Sequence, residues 1–474
     1  MTAEELMQKC GAELKETVFT LGELTEFSTR EGVPFSVAVV AEAMAKEGKT
    51  REQVQDDCMA QFTHNLHALQ LGITSGQSFL LGRVGSDLYG KGENVILQDR
   101  FLDRAVMYTL GTEVGNHEIG LRPCAGTGDS CPFTGLMRAL IEEGLPKDTI
   151  AAMAAVMLKI GSYFRAGKQT TGCNMEGYGA GAAVTAAVLT DLAGGTGRQV
   201  ARSIVLALSP TIAVPCTPRV MVSGLCAAHI GTAILLGNLA SKLIMKSDMP
   251  VDVDVDVMLA MAARVHVEAA PVITNINLAY LQPYFKKNAI VDSFVSEEVR
   301  KRENEAVMKV RDQAKDEVRK LALAERPLSQ CLGDVVVGGS SLAVGSPSNM
   351  SRICHALVKG KISAIDIELT SDLFVRRAIN TPAMLMAAVA GAKTDDIKAY
   401  KSILTSPEMK DIVVTIHEAK EPEVQRIRIT ASEQSAYIDA RNRGGGRVHI
   451  VAAEPSVQAA KEAAKREGIH ISET

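Results

Sequence analysis

The sequence is poor in aromatic residues and contains no tryptophan. Aromatic residues make up 4% of the 474 residues, whereas apolar residues make up 46%. A core that lacks large rings must be filled by Ala, Val, Leu, Ile and Met, which suits closely packed helices. The length predicts two or three domains with ample core.

Several features that would indicate other classes of protein are absent. The formal net charge is −4 and no long basic run occurs, which argues against nucleic acid as a partner. The first residues, MTAEELMQKCGAELKE, are polar and lack the apolar core of a secretory signal. The nine cysteines are odd in number and irregular in spacing, which favours a reducing cytoplasm over a disulfide framework. No CxxC pair occurs, so zinc-ribbon and ferredoxin patterns are excluded.

The periodicity changes once along the chain. Up to about residue 290 the sequence predicts helices, with a break at 32–35, a loop over 71–95 and a proline-started helix at MPVDVDVDVMLAMAA. A charged helix follows over 296–325, with Ser296 as its cap. We therefore predict an α+β multidomain protein: a large all-helical domain (1–290), a charged linker helix (291–326) and a smaller α+β domain (327–474).

The strands of the last domain are predicted from short, nearly alternating β-branched runs. These runs are VVVGG, ISAIDIEL, DIVVTIHEA, VQRIRITAS, SAYIDAR and RVHIVAAE. Helical segments are expected at about 382–405 and 456–467.

One apolar segment, 220–240, is long enough to resemble a membrane span. Cys226 and His229 lie inside it and no aromatic belt flanks it. A helix that is apolar all round is also expected at the centre of a large helical domain. We expect such a core helix and no membrane partner.

Three cysteines in apolar, glycine-rich surroundings, Cys173, Cys216 and Cys226, are candidate metal ligands. Three thiolates can hold an iron–sulfur cluster and leave one iron open to act as a Lewis acid. The alternative is that they are buried free thiols, since cysteine is among the most buried residue types.

The segments around these cysteines resemble the α domain of iron–sulfur L-serine dehydratases. EVGNHEIGLRPCAGTGDSCPFTGLMRAL resembles the family's EVN element leading into PTAG, and GCNMEGYGAGAAVTAAVLTDLAGG resembles GCQAEVG followed by an alanine-rich helix. CTPRVMVSGLCAAHIGTA is similar to CDPV.GLV.VPCI.RNA, with one residue fewer between its cysteines. The resemblance covers about residues 55–275. It implies a [4Fe–4S] cluster with one open iron on Cys173, Cys216 and Cys226.

The C-terminal half resembles, more weakly, the sheet-containing domain of serine dehydratases and of L-cysteine desulfidases. ELTSDLFVRRAINTPAM is similar to the desulfidase KNA...PG region. GDVVVGGSSLAVGSPSNMS stands where those families have SSSH or GCTEP, and neither the histidine nor the cysteine is matched. In those families this domain precedes the cluster domain, whereas here it follows.

β-Elimination also needs donors for the substrate carboxylate and a base for the α-proton. Glycine-rich turns with small hydroxyls can supply the donors, and ordinary turn chemistry is the alternative. The candidate donors are Thr127, Gly128 and Ser130 in the first turn, and Ser340, Ser341, Ser346 and Ser348 in the second. The candidate bases are His117, Glu118, Lys168 and His229. A histidine on an apolar helix can equally be a satisfied core residue.

The remaining candidates are assigned secondary or structural roles. Glu176 could support a cluster ligand or begin a helix. Cys124 and Cys131, which flank the first turn, are expected to be structural. Cys10, Cys58, Cys331 and Cys354 are expected to be incidental, although Cys354, beside His355, could alternatively approach the cluster from the second domain. The GGG at 444–446 is expected to be a turn between strands.

The sequence therefore predicts an oxygen-sensitive cytoplasmic lyase. The resemblance implies β-elimination from a small amino acid such as L-serine or L-cysteine to a 2-keto acid and ammonia. We expect a homodimer and no pyridoxal phosphate. The alternative from another class is a non-catalytic iron–sulfur or metal-binding sensor on the same scaffold.

Overall fold

The chain forms two compact units, Met1–Asp316 and Glu317–Thr474. The computed structural model describes residues 1–123, 130–166, 175–212, 223–284, 288–323, 335–337 and 341–473. The first unit is built from helices and the second adds a five-stranded sheet. The predicted fold class, a large helical domain followed by a smaller α+β domain, is thus confirmed.

The helices of the first unit vary from one to seven turns. In chain order they are α1 Ala3–Glu16, α2 Leu21–Glu31, α3 Phe35–Glu47, α4 Arg51–Thr74, α5 Val84–Tyr89, α6 Arg100–Ile119, α7 Ser130–Glu142, α8 Lys147–Ala166, a π-helix Met175–Ala180, α9 Gly181–Leu192, α10 Gly197–Leu208, α11 Ser223–Lys246, α12 Val255–Leu281, a 3₁₀ turn Gln282–Tyr284, α13 Ala289–Asp292 and α14 Glu297–Leu323.

Local chemistry explains several of these boundaries. Thr2, Thr20, Thr50 and Thr196 each accept from the third backbone N–H of the helix that follows, and the Glu or Gln at that third position bonds back to the threonine N–H. The break expected at 32–35 is present, because Gly32 ends α2 in a left-handed conformation and Pro34 precedes α3.

Two sequence-based boundaries were wrong. The loop expected over 71–95 is shorter, because α4 continues to Thr74 and α5 forms inside it. The helix expected to start at Pro250 begins at Val255 instead. There the Asp254 carboxylate accepts from the backbone N–H of Asp256 and fixes the first turn.

Helices α4 and α6 pack with their backbones in direct contact. A Cβ on Gly72 would overlap the carbonyl oxygen of Gly111, and a Cβ on Gly115 would overlap that of Ala68. Glycine is required here because any side chain would occupy the space of the opposing backbone. This contact fixes how α6 lies along α4.

Helices α9 and α11 run parallel through the centre of the first unit. A Cβ on Gly181 would lie 3.1 Å from the Cβ of Ala233, and one turn further a Cβ on Gly237 would lie 2.5 Å from the Cβ of Thr185. Small buried residues line this contact: Ala182, Ala186, Ala207, Ala233 and Ala240. The same ends of both helices are therefore adjacent.

Part of α11, Ala227–Lys246, is long and apolar enough to cross a membrane by length and composition. The segments Val255–Ala269 and Pro271–Tyr284 of α12 meet the same test together, bent by 49°. Of the tested α11 window, 44% is buried within the structure. Central helices of soluble proteins pass this test as well, so it is weak evidence for a span.

The second unit contains a mixed sheet with helices packed on it. Its elements are α15 Ser341–His355, β1 Ile362–Leu369, α16 Ser371–Val375, α17 Arg377–Ala390, α18 Ile397–Ser402, 3₁₀ turns Ile403–Thr405 and Pro407–Asp411, β2 Val413–Glu418, β3 Gln425–Ala431, β4 Ala436–Asn442, β5 Val448–Glu454 and α19 Val457–Arg466. The strand order is β2-β1-β3-β4-β5, with β1 and β2 parallel and the other pairs antiparallel.

Five of the six predicted strands are present, and alternation buries one face of β1 and β3, whereas β2 has only half-buried and exposed residues. Ile365 and Ile367 of β1 lie in one core with Ile427 and Ile429 of β3. The run VVVGG was wrong in its described part, Val335–Val337. Its backbone bonds to the connection between α17 and α18 instead of to a strand: Val337 N–H donates to the Thr394 carbonyl oxygen at 2.8 Å. The helix expected over 382–405 is interrupted after Gly391, and the one expected at 456–467 is α19.

The α4–α6 contact can be tested by adding one methyl group. Gly72→Ala should destabilise the protein by about 1–3 kcal/mol or more, because the new Cβ forces the two backbones apart. Gly231→Ala is the matched control, since its Cβ would meet Val106 at an ordinary 3.5 Å. That control should be neutral or stabilising by up to about 1 kcal/mol, because alanine favours helices. Denaturant unfolding of both variants measures the difference, and equal midpoints would contradict the contact.

Candidate functional site

The predicted substrate loop, 123–131, is attached to the helical unit on both sides of its turn, residues 124–129, which lie outside the described residues. On the near side, the Asn65 side chain of α4 donates to the Arg122 carbonyl oxygen at 3.0 Å and accepts from the Arg122 N–H at 2.8 Å. His64 Nε2 lies 3.0 Å from the Gly120 carbonyl oxygen. On the far side, Ser130 donates its hydroxyl to the same Arg122 carbonyl at 2.7 Å. The two ends of the turn are thus tied together and to α4.

A buried carboxylate, Glu113, lies beside the start of α7. Its side chain is 5% exposed, and Oε2 accepts from the Cys131 thiol at 2.8 Å and from the Asn116 amide at 3.3 Å. Its other oxygen lies 3.3 Å from His117 Nε2. Glu113 therefore connects the end of α6 with the residue that follows Ser130.

His117, a predicted base, is held on both ring nitrogens. Its Nδ1 lies 2.5 Å from the hydroxyl of buried Ser78, which already accepts from the backbone N–H groups of Leu80 and Leu81. Because both acceptor sites of that hydroxyl are used, it can bond Nδ1 only as a donor, which leaves Nε2 as the ring nitrogen that faces Glu113. In this arrangement His117 orients the carboxylate and ties down the loop before α5.

Glu118, the neighbouring candidate, lies on the exposed side of α6. Its carboxylate accepts from the Gln77 backbone N–H at 2.6 Å. The two base candidates of α6 therefore both bond to the segment that follows α4. In this arrangement, both side chains hold the loop between α4 and α5 in place.

The third described base candidate, His229, stacks on Tyr178. The ring centroids are 5.6 Å apart and the planes differ by 4°. Tyr178 follows Cys173 by five residues, and His229 follows Cys226 by three. Burial raises the pKa of the Tyr178 hydroxyl.

The start of α7 reaches the same end of the α9–α11 pair. A Cβ on Gly181 would lie 2.8 Å from Pro132 Cγ as well as near Ala233. Pro132 follows the substrate turn by three residues. The described residues next to the turn and next to two of the cysteines therefore pack in one neighbourhood.

Several predicted site residues lie outside the described residues. These are Cys173, Cys216, Lys168, Thr127, Gly128, Ser340, Cys124 and Cys331. Cys226, Ser341 and Glu176 belong to described helices, but their side chains lie outside the description. Among the side chains that are described, no group of three His, Cys, Asp or Glu residues is arranged to hold a metal ion.

None of the four cysteines whose side chains are described takes part in a disulfide. Cys10 and Cys58 are half-buried, and Cys131 and Cys354 are buried. Burial raises the pKa of Cys354 to about 12 and that of Cys58 to about 11, so both stay protonated at neutral pH.

The second serine turn belongs to the sheet unit. Buried Ser346 donates to the Arg447 carbonyl oxygen at 2.6 Å, and buried Asn349 donates to the Gly446 carbonyl oxygen at 2.8 Å. The run Gly444–Gly446 connects β4 to β5 with three positive φ angles, 72°, 58° and 80°. These contacts fasten the start of α15 to the β4–β5 connection.

Sequence reasoning missed Glu113 and Asn65 as parts of this site. Glu113 stands in the quoted EVGN element, so its carboxylate in an apolar helix was a usable signal. Asn65 gives no comparable signal, because its partner Arg122 is 57 residues away in the chain.

Comparison with known proteins adds no relative. No protein-family model and no curated protein matches the chain.

The attachment of the turn can be tested at the Arg122 amide. Asn65→Ala removes both of its hydrogen bonds to the Arg122 backbone, which are partly buried and contribute about 0.5–1.5 kcal/mol each. Hydrogen exchange of the Arg122 amide should therefore accelerate about tenfold or more. Thr74→Ala, whose hydroxyl bonds within its own helix, is the control and should leave that rate unchanged. Equal Arg122 exchange in both variants would show that Asn65 does not hold the turn.

Proposed function

We propose that the chain is an iron–sulfur-dependent lyase that removes the β-hydroxyl or β-thiol of a small amino acid, such as L-serine or L-cysteine. The observation that supports it most is the packing of Tyr178 on His229 and of Pro132 on Gly181. These residues follow the substrate turn, Cys173 and Cys226 in the chain, the three segments to which the resemblance assigns a function. Residues close to all three segments therefore pack together.

The donor set has the chemistry that a cluster requires. Soft thiolate ligands favour iron–sulfur clusters, and three of them leave one iron of a four-iron cluster without a protein ligand. Cys173, Cys216 and Cys226 would hold it. When bound, the cluster would supply a Lewis acid for the departing β-substituent.

The chain's own residues would bind and orient the substrate. Asn65, Arg122 and Ser130 tie together the described chain on either side of the turn, and the donors predicted in that turn, Thr127 and Gly128, would bind the substrate carboxylate. Glu113 would keep this part of the chain in place through Cys131. Loss of the α-proton together with the β-hydroxide or β-hydrosulfide, which leave as water or hydrogen sulfide, gives an aminoacrylate; this tautomerises to an imine, which water hydrolyses to a 2-keto acid and ammonia.

The alternative, a non-catalytic sensor on the same scaffold, is favoured by one observation. His117 and Glu118 both bond to the segment after α4, so neither is placed as an uncommitted base. A sensor would need the cluster and the turn without a base.

The cluster assignment predicts a loss of colour on ligand replacement. Anaerobically purified protein should show broad visible absorption and about four irons per chain. Cys173→Ser, Cys216→Ser and Cys226→Ser should each abolish this absorption, whereas Cys10→Ser and Cys58→Ser should keep it. Full iron content in a protein with all three replacements would exclude these ligands.

Catalysis is tested separately with the same anaerobic protein. L-serine or L-cysteine should yield a 2-keto acid and ammonia in equal amounts over many turnovers. A brown protein that binds these amino acids without turnover would support the sensor instead.

Glu113 should act as a positioning residue for the turn. In the wild type, the Glu113 carboxylate accepts hydrogen bonds from Cys131 and Asn116. In Glu113→Gln, one carboxylate oxygen is replaced by an amide N–H₂, which cannot accept a hydrogen bond. The start of α7 is then held less firmly, and KM should rise about tenfold, equivalent to about 1.4 kcal/mol. The visible absorption should not change. Glu118→Gln is the control, since its amide oxygen can still accept from Gln77. Identical KM values for the two variants would remove Glu113 from substrate binding.

A further inference from the structure

An open cleft between α3, α4 and α8 lies beside the base of the substrate turn. Its volume is about 540 Å³. A second cavity of about 320 Å³ is lined by Arg122, Pro123 and Ser130 at the turn. Gln61 and Leu158 line both. The two cavities are therefore neighbours that share part of one wall.

One group of charges in the cleft is centred on Glu42. Its side chain is 3% exposed, and its two carboxylate oxygens each lie 2.6 Å from an ammonium, those of Lys46 and Lys159. Each ammonium has three donors, and Glu42 takes one from each. The two lysine side chains remain 34% and 21% exposed, so further donors can reach a ligand. The group has a net charge of +1, since two ammonium groups share one carboxylate.

A second group in the same cleft has the opposite sign. Lys49 Nζ lies 2.7 Å from a carboxylate oxygen of Glu47 and 2.9 Å from one of Asp57. Hydrogen bonds to Glu47 and Asp57 raise the pKa of Lys49. Two carboxylates share one ammonium, so this group has a net charge of −1.

The geometry points to a binding site for a small zwitterionic α-amino acid in this cleft. The ligand carboxylate would meet the Lys46 and Lys159 ammonium groups, and its ammonium would meet Glu47 and Asp57. The lining of the same cleft also includes Val39, Ala43, Val54 and Ala155, which suit a short apolar side chain. A ligand with a single charge would pair with one of the two charge groups and leave the other without a ligand charge.

This site does not rest on the proposed lyase activity, because all its groups belong to the described helices α3, α4 and α8 or, for Lys49, to the described connection between α3 and α4. The position of the cleft gives a bound amino acid two roles. An amino acid held there is next to the cavity at the turn, and its binding braces the helices that carry Asn65 and Leu158.

Binding can be measured with L-alanine, which has no β-leaving group and is therefore not consumed. The full-length protein is purified in air, and heat of binding is measured by titration. In parallel, mass spectrometry follows iodoacetamide alkylation of Cys58, which lines the cleft, at mildly alkaline pH, where part of this thiol ionises. L-alanine should give saturable heat and slow Cys58 alkylation. Propanoate and ethylamine, which each carry one of the two charges, should do neither at the same concentration.

Variants then test the two charge groups. Lys159→Met and Asp57→Asn should each weaken L-alanine binding about tenfold or more, the effect of about 1.4 kcal/mol. Lys159→Arg keeps the charge and should bind like the wild type, which separates charge from folding. Lys15→Met, on α1, is the control with one positive charge fewer. Unchanged binding in Lys159→Met would overturn the proposal, as would equal protection by propanoate.

A further variant separates this site from the proposed cluster site. Replacement of Cys173, Cys216 and Cys226 by Ser should leave L-alanine binding intact. If that replacement abolishes binding while Lys159→Met retains it, the amino acid binds at the cysteine segments and the cleft is not its site.

Discussion

The backbone contact between α4 and α6 is the constraint on which the candidate site depends. Gly72 and Gly111 allow the two helices to approach until main chain meets main chain. At that distance, small polar side chains of α4 reach the segment that leaves α6, and Asn65 can bond both backbone groups of Arg122. A wider separation would leave those groups without this partner. The scarcity of aromatic residues has the same physical meaning, because large rings would keep the helices apart.

Sequence patterns predicted those parts of the fold that depend on local chemistry. Strand β1 follows from alternation alone, and the break after α2 follows from Gly32 and Pro34. The run VVVGG has the same local preference as a strand, but Val337 found its partner in Thr394, which no local pattern reveals. The candidate site divides in the same way. Cysteine spacing and the resemblance suggested a chemistry, whereas the contact of Glu113 with Cys131 arises only when α6 and α7 pack.

The described candidate bases change what a lyase on this scaffold would require. His117 is engaged by Ser78 and Glu113, and Glu118 by Gln77, so both hold the segment that follows α4. His229 is stacked on Tyr178 and belongs to the neighbourhood where described residues flank the cysteine segments. In such an enzyme, one set of groups would bind the substrate carboxylate and a different group, nearer the cysteines, would transfer the proton.

The parallel packing of α9 and α11 fixes the number of residues that separate contacting partners in the two helices. Gly181 meets Ala233 and Tyr178 meets His229, so partners differ by 52 and 51 positions. A helix turns about 100° per residue, so a residue inserted in α11 shifts the face that the following residues present to α9. After an insertion before His229, the His229 ring and the small residues beyond it could no longer keep their present partners. Length variation in homologous chains should consequently be confined to the connections around residues 193–196 and 209–222, while the helical stretches on either side keep a constant residue count.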